Sequence, residues 1–336
     1  MKVVEIQRAF GIENLAVAER PQPRPGSGGI LLRMKAASLN YRDLMTVQGM
    51  YNPKQPLPLI PCSDGVGEVI EIGEGVARVK VGDRVATAFF QGWLSGEPTM
   101  DTVVTTLGGP LDGTLTEYMV LKEDGVVHVP GHLNDTQAAT LPCAALTAWN
   151  ALAIQGNVKP GHTVLVQGTG GVALFAIQFS KLLGATVIAI SSSDAKLERA
   201  REIGADHGIN YKSIPRWGKT ARDLTGGAGV DHIIELGGAG TLQESLQGIR
   251  IGGQISLIGV LAGPAKELNI LPILMRNVRV QGIFVGNREA FEAMNRAIAF
   301  HKLQPVVDRI FPLDQVTDAF QLMARGGHFG KICVSF

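Results

Sequence analysis

Residues 163–173 read TVLVQGTGGVA, and this stretch decides the fold. Thr163 to Gln167 is a short run rich in β-branched residues, which predicts a strand. Val172 to Leu183 follows, apolar on most faces, and Gly184 stops it. That predicts a buried helix with a glycine just past its end. Between strand and helix, Gly168, Gly170 and Ala173 stand in a G-x-G-x-x-A pattern. This is the context that a dinucleotide-binding fingerprint requires. Gly168 permits the tight turn, Gly170 lets the backbone approach a pyrophosphate, and the small Ala173 lets helix and strand pack closely. Thr169, Gly171 and Val172 complete the turn. Here the helix start offers unpaired N–H groups and a positive dipole end to phosphate. The plain alternative is a glycine turn with no ligand.

Working outward, Thr186 to Ile190 is a second strand. Asp194 can cap a helix running to Ile203 and ended by Gly204. Strands are expected again at Val230 to Glu235, Gln254 to Val260 and Val278 to Val285, with helical stretches between the earlier pairs. Alternating strands and helices predict an α/β, doubly wound parallel sheet. Residues 1 to about 125 have another texture, rich in Gly, Pro and Val. Short runs such as Ile30 to Met34 and Gly67 to Ile72 alternate with turn signals there, which predicts a β-rich domain. Pro21, Pro23 and Pro25 mark a turn-rich segment, and 92–113 reads as a long loop with one helical turn. Near the end, Phe291, Met294 and Ile298 line one helical face, and Lys331 to Ser335 is the last strand candidate.

An acid about 20 residues after the glycine turn would bind the ribose 2′-OH of NAD. Here that place reads Ser191-Ser192-Ser193. An acid would repel a 2′-phosphate, whereas a serine donates to it. Lys196, one helical turn on, can supply positive charge, and Tyr211 a further hydroxyl. NADP(H) is therefore favoured over NAD(H). Asp194 is the counter-evidence, since it can take the 2′-OH itself; a helix cap is its other reading.

The chain has 336 residues, 31 Lys+Arg against 30 Asp+Glu, 45% hydrophobic and 18% charged residues. It is too apolar and too weakly charged to be disordered, and long enough for two cores. A net charge of +1 argues against nucleic-acid or membrane-surface partners. Glycine is in excess, 42 residues against a usual ~7% of a chain, which fits many tight turns. Cys62, Cys143 and Cys333 are too few for a disulfide framework or a four-cysteine metal site. Neither a signal peptide nor an 18-residue apolar run is legible, so a cytoplasmic protein is expected.

With these motifs in view, the chain resembles the medium-chain dehydrogenase/reductase superfamily, within it the zinc-independent quinone oxidoreductase-like branch. The resemblance rests on Gly65-Val-Gly67-Glu-Val-Ile-Glu-Ile-Gly73, Val81-Gly82-Asp83-Arg84-Val85, Leu141-Pro-Cys143-Ala-Ala-Leu-Thr147-Ala and the glycine turn. It implies a GroES-like catalytic domain over 1–144 and a Rossmann domain over 145–288. It also implies a final segment, 289–336, that returns to the catalytic domain.

The resemblance also shows which metal ligands are missing. Zinc-dependent relatives carry a Cys, a His-Glu pair and a third ligand where this chain has Asn40, Ser63-Asp64 and Cys143. A catalytic zinc normally needs three protein ligands, so no metal is expected. The relatives' structural zinc lobe corresponds to about 90–113, which lacks cysteine. His128 and His132 are four apart, but Pro130 and Gly131 between them spoil a helical face.

Without a Lewis acid, an electron-poor acceptor suits the site: a quinone or an α,β-unsaturated carbonyl. The resemblance implies Asn40 near the nicotinamide ribose, Tyr51 lining the active site as a hydrogen-bond or proton donor, and Ser63 toward substrate. It implies Thr147 under the nicotinamide, and Ile258-Gly259-Val260 and Phe284-Val285-Gly286 presenting backbone groups to the carboxamide. Lys331 is expected near the cofactor phosphates, a solvated lysine being its other reading. Arg42 and Asp43 are expected to pair with each other or cap a helix. Two alternatives stay open: an NAD(P)-dependent alcohol or aldehyde dehydrogenase, and an NADPH-binding protein with little turnover. The expected partners are a small-molecule electron acceptor and a second copy of the chain, joined through an edge strand such as Val278 to Val285.

Overall fold

Fifteen strands carry the architecture of the described residues, 1–263 and 267–336, in the computed structural model. In chain order they are β1 (Lys2–Ile6), β2 (Leu15–Glu19), β3 (Gly29–Ser38), β4 (Asp64–Ile72), β5 (Arg84–Thr87), β6 (Tyr118–Lys122) and β7 (Val126–His128). Then follow β8 (Thr163–Gln167), β9 (Thr186–Ser191), β10 (His207–Asn210), β11 (Val230–Glu235), β12 (Ile249–Leu257) and β13 (Arg279–Gly282), and last β14 (Val307–Pro312) and β15 (Lys331–Ser335). The chain divides into two units, Met1–Leu146 with Gly286–Phe336, and Thr147–Val285.

The second unit is a six-stranded sheet in the order β10-β9-β8-β11-β12-β13, and every neighbouring pair is parallel. Numbered within the unit, that is 3-2-1-4-5-6, the Rossmann order. The middle of the sheet is buried: Val164, Leu165 and Val166 are fully covered, as are Ile233 and Ile234, while the edge strand β13 is largely exposed. Helices must therefore cover both faces. Gly171–Leu182 buries Leu174, Phe175, Ile177 and Phe179, and Gly184, at φ 79, turns the chain into β9.

Some boundaries differ from the sequence expectation. β12 ends at Leu257, where its ladder to β11 runs out: Glu235 O accepts from Ile258 N–H at 2.9 Å and also from Gly259 N–H at 3.3 Å, so the chain leaves the ladder there. β13 is only Arg279–Gly282, since its partner strand has then run out. Ser193, rather than Asp194, caps the helix Asp194–Glu202: its Oγ accepts from Lys196 N–H at 3.4 Å. Asp194 instead accepts from Asn210 Nδ2 at 2.9 Å.

The first unit holds a sheet in the order β14-β15-β3-β4-β5-β7, with β6 also paired to β3. Residues 92–113 contain one short helix, Met100–Val103. The final segment completes this sheet. β15 runs antiparallel to β3, with Cys333 opposite Ser38. That pairing sets the start of β15 beside the end of β3, and Leu39 N donates to Ile332 O at 3.0 Å. The helix Arg288–His301 buries Phe291, Met294 and Ile298. Among the described residues no helix is long and apolar enough to cross a membrane.

Candidate functional site

In the first unit the site grows from the end of β3. Asn40 is the N-cap of the helix Tyr41–Val47, and its N–H donates to Asp43 Oδ2 at 2.8 Å. Asp43 is fully buried, and burial pushes its carboxyl up to about 6 although Arg42 pulls the other way. Arg42 Nη1 lies 3.8 Å from Asp43 Oδ1. The expected pairing and capping are thus both present.

Lys331 opens β15 and is only 3% exposed, so it is not a solvated lysine, and its ammonium is engaged by the Asn40 cluster of the first unit rather than held out toward a phosphate as expected. Its Nζ donates to Leu39 O at 2.7 Å and to Asn40 Oδ1 at 2.6 Å, and lies 3.6 Å from Asp64 Oδ2. With Oδ1 engaged by the ammonium, Asn40 presents Nδ2 to Ser63 Oγ at 3.5 Å. Ser63 donates to Asp64 Oδ1 at 2.8 Å. Asp64 Oδ2 also accepts from Ser38 Oγ at 3.2 Å and Cys143 N–H at 3.4 Å. Asn40, Ser63, Asp64 and Lys331 therefore form one connected buried cluster. Tyr51 is not hydrogen-bonded to it among the described residues. Tyr51 is 54% exposed, and the Arg42 guanidinium lies 4.9 Å from its ring centroid.

This donor set does not fit a zinc ion. An amide, a hydroxyl and one thiol stand where three good ligands are needed, and burial drives the Cys143 thiol well above its usual range. A thiolate is therefore disfavoured, and the Lys331 ammonium would repel a second cation. Among the described residues no group of three His, Cys, Asp or Glu side chains could hold a metal.

In the second unit the glycine turn leaves β8 and enters the helix Gly171–Leu182. Gly168 has φ 78, a conformation costly for any side chain, and nothing lies within 4 Å of where a Cβ would stand at Gly168 or Gly170. Gly170 is the N-cap and supplies no side-chain cap. An open, uncapped helix start of this kind fits a dinucleotide pyrophosphate.

At the end of β9, Ser191 is 4% exposed and its Oγ accepts from Ser193 N–H at 3.3 Å. Ser192 is half-buried. Tyr211 N donates to Ser191 O at 3.1 Å, which sets Tyr211 beside the serines, and its side chain is exposed. Thr147 is buried, whereas Val260 and Phe284 are exposed. Asn150 Nδ2 donates to Phe284 O at 2.8 Å. In the first unit Gly286 has φ 151 and packs on Leu146.

Two further residues, Gln167 and Glu235, were not singled out from the sequence. They bond to each other at 2.6 Å beneath the turns after β8 and β11. The available signal was a carboxylate directly after the apolar pair Ile233-Ile234 at the end of β11, and an amide directly before the first fingerprint glycine.

Comparison with known proteins places this geometry. Residues 26–131 match the family model for the alcohol dehydrogenase GroES-like domain, and residues 171–299 that for a zinc-binding dehydrogenase. A zinc-type alcohol dehydrogenase-like protein of Schizosaccharomyces pombe is 43% identical over 329 residues, spanning 96% of this chain and 95% of its own. An alcohol dehydrogenase-type crystal structure from Sinorhizobium meliloti 1021 is 42% identical, with a TM-score of 0.92 over 100% of this chain and 99% of that one. The crystal structure of an NAD-dependent alcohol dehydrogenase is 32% identical, also at 0.92, covering 100% of both chains. The chain thus belongs to the medium-chain dehydrogenase/reductase superfamily, and is an oxidoreductase with a GroES-like domain and a Rossmann domain.

Proposed function

We propose that the protein is an NADPH-dependent reductase of quinones or α,β-unsaturated carbonyls that acts without zinc. One observation carries this reading: the buried Lys331 ammonium, bonded to Asn40, within a cluster that lacks a ligand set for zinc. Such a donor set does not suit a Lewis acid that would stabilise an alkoxide. It suits an acceptor whose product oxyanion is already delocalised.

When bound, the cofactor would supply a hydride to the acceptor. The backbone of Gly168, Thr169, Gly170, Gly171 and Val172 receives the pyrophosphate in this reading. Ser191, Ser192, Lys196 and Tyr211 receive the 2′-phosphate. Thr147, Ile258 to Val260 and Phe284 to Gly286 hold the nicotinamide end. Lys331 fixes the Asn40 amide with Nδ2 as its donating end and adds positive potential where charge develops on the acceptor. Tyr51 gives the proton. The partner protein is a second copy of the chain, docked through the edge strand β13, near which Ile270, Leu274 and Met275 are exposed.

A second reading, an NAD(P)-dependent alcohol dehydrogenase, is favoured by the likeness to the NAD-dependent enzyme. An acceptor panel separates the two. NADPH oxidation is followed with an ortho-quinone, an enone and an aldehyde, and NADP⁺ reduction with primary alcohols. Turnover of the quinone or enone, at least tenfold above any alcohol, is the expected result. Alcohol oxidation as the dominant reaction would overturn the proposal.

A further inference from the structure

The strand order of the second unit reverses between β8 and β11, and ligands of such sheets bind outside the carboxyl ends at that point. Gln167 ends β8 and Glu235 ends β11. Glu235 is fully buried, and both its oxygens face donors only. Oε1 accepts from Gly237 N–H at 3.1 Å, Gly238 N–H at 2.9 Å and Thr241 Oγ1 at 2.5 Å. Oε2 accepts from Gln167 Nε2 at 2.6 Å and Ser245 Oγ at 2.5 Å. Gln167 Oε1 accepts in turn from Leu236 N–H at 3.1 Å and Gly237 N–H at 3.0 Å.

These bonds tie three turns together. Gln167 directly precedes Gly168 and so anchors the glycine turn. The side chains of Gln167 and Glu235 together hold residues 236–238, the turn after β11. Glu235 O accepts from Ile258 and Gly259, the turn after β12. Gly238 sits at φ 76, and a Cβ there would stand 2.8 Å from Gly259 O, so the turns after β11 and β12 abut. A buried carboxylate is a costly way to fill a core, where an apolar side chain serves as well. What it adds is direction: each turn amide is held by a specific oxygen. Cofactor sites depend on such supporting bonds, because small misplacements of the groups that touch the ligand are expensive.

The geometry points to Glu235 and Gln167 as positioning residues for dinucleotide binding, their network aligning the turns after β8, β11 and β12. The inference rests on the proposed cofactor role of this unit. It names no contact of either side chain with the cofactor.

The test is fluorescence titration of the full-length protein with NADPH and with NADH, beside thermal unfolding without dinucleotide and steady-state kinetics. Glu235→Gln turns an NH₂ group toward donors. It is expected to remain folded, to weaken NADPH binding at least tenfold and to raise KM for NADPH, with KM for the acceptor unchanged. The reciprocal pair Gln167→Glu with Glu235→Gln restores the pattern, because Glu at 167 accepts from the amide at 235 while the Gly237 and Gly238 amides keep an acceptor. Binding within about threefold of wild type is expected for it. Should Glu235→Gln fail to fold, Ser245→Ala removes one donor and is expected to weaken binding about threefold. NADPH binding by folded Glu235→Gln or Ser245→Ala equal to wild type overturns the inference, as does loss in the reciprocal pair equal to that of the single variant. Wild-type protein that binds neither dinucleotide overturns the underlying reading and the inference with it. That failure is recognised before any substitution is made.

Discussion

Lys331 Nζ donates a 2.6 Å hydrogen bond to Asn40 Oδ1 across 291 positions of sequence, and both side chains are buried. The contact exists because β15, from the end of the chain, pairs with β3. It decides which end of the Asn40 amide faces Ser63.

This bond is measurable as a coupling. Lys331→Met and Asn40→Ala are each expected to destabilise the protein, and together by less than their sum, with a coupling of about 1–3 kcal/mol. Urea unfolding of the four proteins reads it. Strict additivity would show that the two residues do not depend on each other.

Cofactor choice is expected to follow the end of β9. Ser192→Asp places a carboxylate beside the 2′ position in the proposed pose. It should lower kcat/KM for NADPH relative to NADH by about 10–100-fold, equivalent to losing one or two charge-assisted bonds. Steady-state rates with both cofactors check this. An unchanged ratio would remove the serines from the proposed phosphate site.

Tyr51 is assigned the proton. Tyr51→Phe is expected to lower kcat about 10²-fold while KM for NADPH stays within twofold. The ring packs over Arg42 in the native protein, and phenylalanine keeps that contact. A variant with wild-type kcat would leave the proton to solvent.

Acid stability has a named contributor. His232 is buried on β11 with Nε2 3.0 Å from Ser256 Oγ, and burial holds its pKa down at about 3, against an ordinary 6.5. The unfolded chain takes up this proton first. Stability from the neutral ring is therefore complete above 6.5 and falls as pH drops toward 3, by up to about 1.4 kcal/mol per unit. His232→Asn lacks that loss, so its stability difference from wild type should shrink between pH 7 and 4.5. Asp43 is common to both proteins and cancels. A difference independent of pH would contradict the assignment.

The α/β architecture was legible because its signals are local. The glycine turn, the β-branched strands and the glycines after helices each declare themselves within a dozen residues. The buried clusters were less legible. Asn40, Ser63 and Lys331 each carried a separate expectation, but what joins them is the β15–β3 pairing, which no local pattern announces. Glu235 reads as an ordinary polar strand end until the fold turns five donors onto it. The Asp194 cap went to Ser193 because both are good capping residues one position apart, and only the backbone geometry chooses between them.

The most direct test of the central claim is the initial rate of NADPH oxidation with an ortho-quinone. Protein dialysed against a chelator is used, its metal content is measured, and NADH is run in parallel. The account predicts rapid NADPH turnover that is unchanged by chelation, much slower turnover with NADH, and far less than one zinc per chain. Activity that vanishes with the chelator and returns with zinc, or that prefers NADH, would contradict it.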